Sequence, residues 1–204
     1  MNRKDHWENI YKDKSPLEVS WYQKAPTISL ELIKKLSLNN SDFIIDIGGG
    51  ASKLVDCLIE DGFINITVLD LSSNALAHTQ QRLGEKSSLV EWKVEDVTKF
   101  VAGHKYDLWH DRAVFHFLTD KNDREKYRQV LEASINIGGH IIIAAFSVGG
   151  PTKCSGLDIV QYDREKLKSE LGDNFTFIEE KFEKHVTPAG KEQAFGYYIF
   201  TKNA

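Results

Sequence analysis

The stretch FIIDIGGGAS at residues 43–52 is the strongest local signal in the chain. A short apolar run reaches Asp46, three glycines follow at 48–50, and apolar residues with helical spacing begin at Leu54. Glycines permit positive φ angles and let a ligand approach the backbone, and the free N–H groups of a helix start can donate to a carboxylate or hydroxyl. The stretch therefore predicts a strand, a tight loop and a helix around a nucleotide-type site, although glycine clusters also form ordinary turns.

A second apolar run, ITVLD at 66–70, ends in Asp70 about twenty residues after the glycines, the spacing at which a carboxylate meets a ribose diol. Two strand ends and one glycine loop are thus expected to converge on one crevice. A dinucleotide fingerprint would place a third glycine three residues after Gly50, but Lys53 stands there. The missing glycine argues against an NAD-type pyrophosphate site.

The segment Asp46-Ile47-Gly48-Gly49-Gly50 resembles motif I of the class I S-adenosylmethionine-dependent methyltransferases, an acid-x-Gly-x-Gly strand end. The resemblance covers most of the chain and implies S-adenosyl-L-methionine as the cofactor. It also implies a cofactor site made from the strand ends, the glycine loop and the N-terminal arm. The residues implied are Trp7, Trp21, Asp46, Gly48, Gly49, Gly50, Ser52, Asp70, Leu71, Asp96, Val97 and His110.

A third strand at 89–94 is followed by Glu95-Asp96-Val97. In the methyltransferase pattern, an acid directly after this strand accepts a hydrogen bond from the adenine amino group. By resemblance this role falls on Asp96, and Val97 supplies a backbone or apolar contact. The alternative is that Asp96 only caps the turn at 97–98.

Length and composition predict one globular domain over residues 1–204, with residues 1–26 as an N-terminal arm or lid. The longest apolar runs are half a membrane span and the N-terminus lacks a signal-peptide core, so a cytoplasmic protein without a membrane partner is expected. A net charge of −4 without a basic block argues against nucleic acid. Cys57 and Cys154 are too few and too poorly spaced for a disulfide framework or a zinc site, so no metal is expected.

Strand and helix patterns alternate along most of the chain. Strands are predicted at 42–47, 65–70, 89–94, 106–110 and 140–146, and helices at 4–12, 27–37, after the glycines, from 72 or 73 to 84, from 123 to Gly138-Gly139, and at 163–171. A Pro/Gly turn at 187–190 joins extended runs at 174–184 and 192–201, which predicts an antiparallel hairpin. Because crossovers are right-handed, the fold class is α/β: a Rossmann-like class I methyltransferase fold with a mostly parallel seven-stranded sheet, a C-terminal antiparallel hairpin and helices on both faces.

Within this class the chain is similar to the small thiopurine methyltransferase-like group, which methylates thiols and heavier chalcogen or metalloid species. Three features carry the likeness: Trp7 with Trp21-Tyr22 in the arm, Trp109-His110-Asp111-Arg112-Ala113 after strand four, and Asp123-Arg124 with Tyr127. The glycine loop and the inserted His110 depart from that group, so more than one class of acceptor stays open. Some protein-lysine methyltransferases also have a Trp-rich arm before such a strand end, and are the nearest rival.

Residues 109–116 concentrate charge and imidazole at the end of a central strand, where open α/β sheets bind ligands. An amine or hydroxyl acceptor would need a base, and His110 or His116, oriented by Asp111, are the catalytic candidates. These histidines could equally be structural. Arg112 suits an anionic group on the acceptor or on the cofactor's methionine carboxylate, and its alternative is a salt bridge to a nearby aspartate.

The predicted acceptor residues are Tyr22, Arg112, His116 and Cys154. Tyr22 would form a pocket wall together with Trp21, although both aromatics could be simple packing residues. Cys154 lies in a Gly/Pro-rich loop after strand five, where its thiol either meets a soft acceptor or is inert.

Three functions remain open at this point. The first is methyl transfer to a small nucleophilic acceptor, such as a thiol or chalcogen species. The second is transfer to a protein lysine or another amine, which would predict an acidic or aromatic groove beside Trp21. The third is a non-enzymatic module that retains the fold and the cofactor. The sequence does not give the oligomeric state.

Overall fold

A seven-stranded sheet forms the centre of the computed structural model, which describes residues 2–13 and 15–204. Its strands are β1 (Phe43–Ile47), β2 (Asn65–Asp70), β3 (Val90–Val94), β4 (Tyr106–Arg112), β5 (Ile135–Phe146), β8 (Phe175–Val186) and β9 (Glu192–Lys202). A small separate hairpin is made of β6 (Lys153–Cys154) and β7 (Leu157–Asp158). The order across the sheet is β3-β2-β1-β4-β5-β9-β8, with β1 to β5 parallel and β9 antiparallel to both of its neighbours.

Within the described residues, six α-helices connect or cover these strands. They are α1 (Arg3–Asp13), α2 (Thr27–Lys35), α3 (Leu54–Glu60), α4 (Ser73–Leu83), α5 (Lys121–Ser134) and α6 (Arg164–Leu171). Short 3₁₀ turns follow at Gly84–Leu89, Val97–Lys99 and Phe115–Phe117. The predicted start and end of α4 are confirmed, because the Ser72 hydroxyl accepts a hydrogen bond from the Ala75 N–H and Gly84 follows the last turn.

The sheet is buried on both faces, as expected for parallel strands. Alternate residues of β1 enter different cores, since Ile44 packs with Leu32, Leu54 and Leu76 of α2, α3 and α4. On the other face, the neighbouring Ile45 belongs to the core that receives side chains from α5 and α6. This arrangement confirms the predicted Rossmann-like methyltransferase fold with helices on both faces and a C-terminal antiparallel strand pair.

The structure corrects the sequence-based boundaries in one important place. Helix α5 ends at Ser134 and β5 begins at once, so Gly138 and Gly139 lie inside a strand and do not end the helix. The pairing of β4 with β5 shifts register between Tyr106 and Leu108, and Gly138 adopts a φ of +77° in this irregular stretch. A glycine that accommodates a bulge gives the same sequence signal as one that ends a helix.

Two further differences affect the site. Strand β4 continues to Arg112. Asp111 and Arg112, which were predicted to follow the strand, therefore pair with β5 as its last residues. The loop after β5 contains the β6–β7 hairpin, which places Cys154 in a short strand.

In the described ranges 2–13 and 15–204, no helix is long and apolar enough to cross a bilayer.

The carboxyl ends of β1, β2 and β4 meet at one edge of the sheet. In the register of the sheet, Ile47 lies between Leu69 of β2 and Asp111 of β4. The chain leaves β1 towards β2 on one side and reaches β4 on the other, so this edge is the topological switch point at which open α/β sheets bind ligands.

Candidate functional site: a cleft at the carboxyl edge of the sheet

An open cavity of about 800 Å³, counted with the solvent at its mouth, lies at this edge. Its wall combines strand ends, the loops after β2, β3 and β4, the N-terminal arm and the β6–β7 hairpin. The lining residues are Arg3, Trp7, Tyr11, Trp21, Ile47, Gly48, Leu69, Asp70, Leu71, Glu95, Asp96, Val97, Arg112, Ala113, Val114, Phe117, Leu118 and Cys154.

A second cavity of about 530 Å³ adjoins the first and shares Tyr11, Trp21, Ile47, Gly48 and Arg112 with it. It extends beside the glycine loop and beneath the arm. The predicted site residues found here in addition are Tyr22, Asp46, Gly49, Ser52 and His110. The two cavities together bring most of the predicted residues to one cleft, whereas Gly50, Asp111 and His116 line neither cavity.

The glycine loop is shaped by three different contacts. Gly48 has a φ of +69° and donates its N–H to the Leu69 carbonyl at 2.7 Å. A Cβ on Gly48 would lie 2.1 Å from Cγ2 of Val114, and a Cβ on Gly49 would lie 2.2 Å from Oδ2 of Asp46. The loop therefore has no room for side chains where it passes the ends of β1 and β4.

Gly50 serves the packing of the loop, because a Cβ there would lie 2.5 Å from Cβ of Ala75 in α4. Its N–H donates to Oδ2 of Asp70 at 3.0 Å and its carbonyl accepts a hydrogen bond from the Thr79 hydroxyl. Gly50 thus holds the loop against α4 and β2, and this placement argues against the direct cofactor contact predicted from the sequence.

Replacing Gly48 with Ala is expected to destabilise the fold by about 3 kcal/mol or more, because the new Cβ meets Val114 and the residue must keep a positive φ. Chemical unfolding of the variant measures this loss. The double variant Gly48→Ala/Val114→Ala should recover part of it, since only the clash is relieved. A single variant as stable as the wild type would show that the loop rearranges freely.

Asp70 is buried at the end of β2 and organises two loops. Its Oδ2 accepts the Gly50 N–H, and its Oδ1 accepts the Ser72 N–H at 2.8 Å. Burial raises the pKa of this carboxyl to about 6, although these two N–H groups stabilise its ionised form; Asp46 and Glu8 also raise the pKa. A carboxylate fixed in this way at the wall of a cavity is suited to accept hydrogen bonds from a diol.

The pKa of Asp70 predicts how affinity for an adenosine-containing ligand depends on pH. Diol donors favour the ionised carboxylate, so binding below pH 6 must release a proton, and affinity should fall by up to about tenfold per pH unit there. Titration with S-adenosylhomocysteine between pH 5 and 8 tests this, and Asp70→Asn should flatten the profile. A flat profile in the wild type would contradict the assignment.

The raised pKa of Asp70 also affects the stability of the ligand-free protein, and here the dependence on pH is opposite to that of ligand affinity. Between the ordinary pKa of 3.8 and the raised value of about 6, the folded state binds more protons at Asp70 than the unfolded state does. The contribution of Asp70 to the free energy of unfolding therefore decreases as pH rises through this window.

Asp96 is placed for both of the roles considered from the sequence. Its Oδ1 caps the turn after β3, accepting the Thr98 N–H at 2.9 Å and the Thr98 hydroxyl at 2.8 Å. Asp96 also lines the cavity beside Leu71 and the buried Val97. These apolar walls and the neighbouring carboxylate are suited to a flat ring with an amino group.

His110 and Asp46 form a buried pair in neighbouring strands. His110 Nδ1 lies 2.7 Å from Oδ1 of Asp46, and His110 Nε2 lies 2.9 Å from the Ser29 hydroxyl of α2. Both imidazole nitrogens are therefore engaged, which argues against the catalytic role predicted for His110. In contrast, Oδ2 of Asp46 is buried without a hydrogen-bond partner in the part of the chain that the structure describes.

Asp111 lies inside the core and not in the cleft. Its carboxylate accepts the N–H groups of Val114 at 2.9 Å and Phe115 at 3.1 Å, and the Tyr127 hydroxyl at 2.7 Å. Tyr127 in turn accepts the indole N–H of Trp109 at 2.8 Å. Burial raises the pKa of Asp111 to about 6. This network fixes the turn after β4, so the Trp-His-Asp segment with Tyr127 has a structural explanation, and the placement argues against a catalytic Asp111.

His116 is enclosed between the rings of Phe117 and Phe146. Its Nδ1 lies 3.4 Å from the Phe146 N–H, and its side chain lines neither cavity. Burial, together with the charge of Arg112, lowers the pKa of His116 to about 3. The imidazole is neutral at physiological pH and a weak base, which does not fit the catalytic and acceptor-binding roles predicted for it.

Arg112 lies between the two cavities and is held from three sides. Its Nε donates to the Tyr197 hydroxyl at 2.9 Å, and its Nη1 donates to the Trp21 carbonyl at 3.0 Å. The guanidinium carbon also stands 4.6 Å above the ring of Phe195. The sequence could not identify these partners, which come from the arm and the C-terminal hairpin.

The remaining nitrogen of this guanidinium is the unusual one. Nη2 of Arg112 is buried and makes no hydrogen bond within residues 2–13 and 15–204. Its acidic neighbour is Glu183 of β8, at 3.7 Å, and not a nearby aspartate as the sequence alternative proposed. Because Arg112 lines both cavities, its guanidinium is suited to attract an anionic group there.

Cys154 lies at the cavity wall, 4% exposed. Burial raises the pKa of its thiol to about 11, so it is protonated at neutral pH and is not a nucleophile. Tyr22 lines the second cavity and the open groove beyond it, and does not reach the first cavity. The two residues thus lie at different ends of the cleft.

Helix α1 covers the cleft and is fastened to α4. Glu8 accepts the N–H groups of Ser73 at 2.8 Å and Asn74 at 3.0 Å, together with the hydroxyls of both serines at this helix start. Carboxylates are stabilised at helix N-termini, where free N–H groups and the helix dipole favour negative charge. Sequence reasoning missed Glu8, since the helix start at 72–74 shows the need for an acceptor but not which acid supplies it.

The aromatic arm residues pack against one another over the same cleft. Trp7 contacts Trp21 and Phe117 edge to face, with ring centroids 5.5 and 5.0 Å apart, and the indole N–H of Trp21 donates to the Tyr11 hydroxyl at 3.1 Å. Arg3 makes an ion pair with Asp123 of α5. The described residues contain no group of three His, Cys, Asp or Glu side chains that could hold a metal ion.

Comparison with known proteins agrees with this geometry. Residues 45–141 match the model of a methyltransferase domain family. The malonyl-[acyl-carrier protein] O-methyltransferase 2 of Ilyobacter polytropus is 29% identical over 121 residues, a stretch that covers 57% of this chain and 42% of that relative. The chain thus aligns with less than half the length of this curated relative.

Two solved structures have the same fold over the whole chain. An S-adenosylmethionine-dependent methyltransferase from Anabaena variabilis superposes with a TM-score of 0.76 at 14% identity, covering 100% of this chain and 96% of that one. The N-methyltransferase NodS of Bradyrhizobium japonicum in complex with S-adenosylhomocysteine gives a TM-score of 0.74 at 15% identity, covering both chains completely. These likenesses confirm the predicted fold: the chain has the class I methyltransferase fold, and its residues 45–141 resemble a methyltransferase domain.

Proposed function

We propose that the protein transfers a methyl group from S-adenosyl-L-methionine to a small acceptor whose nucleophilic atom is anionic near neutral pH. Such acceptors include thiolates, chalcogen species and carboxylates. The observation that carries the proposal is the position of Arg112, a cation that lines the cavity that also contains Asp70 and Asp96 and has one guanidinium nitrogen without a hydrogen bond among the described residues.

The residues of the cleft fit this cofactor. Asp70 would hold the ribose hydroxyls, while Asp96, Leu71 and Val97 would surround the adenine. The unpartnered Oδ2 of Asp46 faces the glycine loop and is suited to the cofactor's amino group. The contacts of Gly48, Gly49, Ser52, Trp7 and Trp21 with the cofactor remain proposals that rest on their places in the two cavity walls.

Bound S-adenosylmethionine would supply an activated methyl group on a sulfonium. The chain's own contribution to such an in-line displacement is alignment of the reacting atoms and exclusion of water. The aromatic cover of Trp7, Trp21 and Phe117 shields the cleft. Arg112 would orient the acceptor through its free N–H.

An acceptor that needs no base is favoured by the state of the ionisable groups. His110 is engaged at both nitrogens, and His116 and Asp111 lie outside the cleft. Cys154 is protonated, and burial raises the pKa of Tyr11 far above neutrality. An ammonium or alcohol would find no base among these side chains, whereas a thiolate or carboxylate is already a nucleophile.

The acceptor class is tested by methyl transfer from radiolabelled S-adenosylmethionine to a panel of acceptors. The panel contains thiols, selenite, tellurite, carboxylic acids, amines and cell-extract protein. Label in the anionic small molecules supports the proposal. Label in the thiols, selenite or tellurite would also support the likeness to the thiopurine methyltransferase-like group. Label in extract protein or amines would favour the lysine or amine alternative, and cofactor binding without any transfer would favour a non-enzymatic module.

A further inference from the structure

Strand β8 is the outer strand of the sheet and is twelve residues long. Its backbone pairs with β9 on one side, and at its start the Phe175 N–H donates to the Gly172 carbonyl. No other described strand of this chain pairs with β8. A long outer strand presents a row of free N–H and C=O groups that can pair with another chain.

The side chains of β8 add an apolar element to this edge. Ile178, Phe182 and Val186 are 51%, 62% and 57% exposed, and they recur every four residues. Sheet edges that avoid association are usually short or carry charges in place of large apolar groups. The row Ile178, Phe182 and Val186 therefore marks an interaction surface, here called the β8 edge.

The charges on the β8 edge identify its partner. If two copies of β8 pair antiparallel about Phe182, residue 180 of one copy lies opposite residue 184 of the other. Glu180 then faces Lys184 twice across the twofold axis and Phe182 faces its own copy, whereas Ile178 lies at a register shift of β8 and outside this regular pairing. Opposite charges and apolar pairs directly across strands stabilise a sheet.

We propose that the protein forms a homodimer in which β8 pairs antiparallel with β8 of a second copy, centred on Phe182, so that the two sheets become continuous. The pattern is self-complementary, as a twofold interface requires. A second copy of β8 carries the residues that complement Glu180, Phe182 and Lys184 in this order, whereas an unrelated peptide strand need not carry them.

The charges needed for pairing are available in the single chain. Lys184 contacts Glu192 at 2.8 Å, but both side chains are more than half exposed, at 70% and 57%, so the pair is weak and Lys184 can turn to a partner. The alternate residues Lys181 and Glu183 are engaged with Glu31 and Tyr197 on the other face of the strand. The outward residues alone therefore define the register.

Charge-reversal variants, measured alone and as a mixture, test the register of the two paired β8 strands. Sedimentation and light scattering measure the molecular mass. The wild type is expected to be a dimer. Glu180→Lys and Lys184→Glu should each weaken self-association by about tenfold or more, because two attractive cross-strand pairs become repulsive. An equimolar mixture of the two variants should restore dimers, since each chain then meets opposite charges. Glu192→Gln is the matched control and should leave the dimer unchanged.

Other outcomes would overturn the proposal. They are a wild type that remains a monomer at its solubility limit, single variants that dimerise as well as the wild type, and a mixture that remains monomeric. Phe182→Asp gives a second, independent disruption of the same surface. Circular dichroism and melting temperature establish that each variant is folded, which is expected because Phe182, Lys184 and Glu192 are exposed and Glu180 is only partly buried.

Discussion

Replacing Asp70 with Ala is expected to abolish measurable binding of S-adenosylhomocysteine, with affinity at least about 100-fold lower, because hydrogen bonds to a charged group contribute about 1.5–3 kcal/mol each. The carboxylate would accept the two ribose hydroxyls, and it also holds the Gly50 and Ser72 N–H groups that shape the neighbouring loops. Ala therefore removes ligand contacts and loosens the loop that receives the ligand. Isothermal titration calorimetry measures the loss.

Asp61→Ala is the matched control for this experiment. Asp61 is an exposed acid at the end of α3, away from both cavities, so its removal should leave affinity unchanged. A melting curve for Asp70→Ala separates lost binding from lost folding. Binding of S-adenosylhomocysteine to a folded Asp70→Ala protein with wild-type affinity would remove the ribose assignment.

Replacing Arg112 with Ala is expected to lower kcat/KM for an anionic acceptor by about 100-fold or more, a loss of roughly 3 kcal/mol in transition-state stabilisation. The affinity for S-adenosylhomocysteine should change little, because the cofactor is assigned to Asp46, Asp70 and Asp96. Arg112→Lys should fail similarly, since a single ammonium cannot reach the Tyr197 hydroxyl, the Trp21 carbonyl and the acceptor together. Steady-state kinetics and calorimetry on the same preparations provide both quantities.

Arg124→Ala is the control arginine. Arg124 has an ion pair with Glu170 at 2.8 Å and hydrogen bonds to backbone carbonyls, but it lines neither cavity. Its loss should reduce stability and leave kcat/KM unchanged in the folded fraction. If Arg112→Ala instead loses cofactor affinity while transfer at saturating cofactor is normal, Arg112 binds the methionine carboxylate and not the acceptor.

The sequence predicted the sheet and the convergence of Asp46, Asp70 and Asp96 because both follow from local patterns. Apolar runs ending in acids define strands, and the carboxyl ends of parallel strands meet at one edge. In the structure all three acids line the cleft. What could be predicted was therefore the parallel sheet and the carboxyl ends of β1, β2 and β3.

The roles of the polar residues after β4 could not be predicted, since these depend on partners distant in sequence. His110 pairs with Asp46 and Ser29, and Asp111 pairs with Tyr127. Whether a strand-end side chain points into the cleft or the core depends on a register that apolar runs alone do not define. The likeness to thiopurine methyltransferases at these positions stays a prediction, because a buried network explains the same residues.

Contacts between separate elements could not be predicted either, because their partners are also distant in sequence. The free N–H of Arg112 becomes visible only when the arm and the hairpin occupy its other donors. Similarly, the acceptor for the start of α4 is Glu8, more than sixty residues earlier in the chain. A ligand site can be recognised from buried polar atoms that have no hydrogen-bond partner. These atoms are known only when all contacts of the complete fold are known.

The central claim is that the cleft between β1, β2 and β4 binds the methyl donor. Calorimetric titration of the wild-type protein with S-adenosylhomocysteine tests this claim most directly. We expect saturable binding of one ligand molecule per chain, with affinity that falls below pH 6. Absence of binding to the folded protein at neutral pH would contradict the assignment of the three carboxylates and of the function built on them.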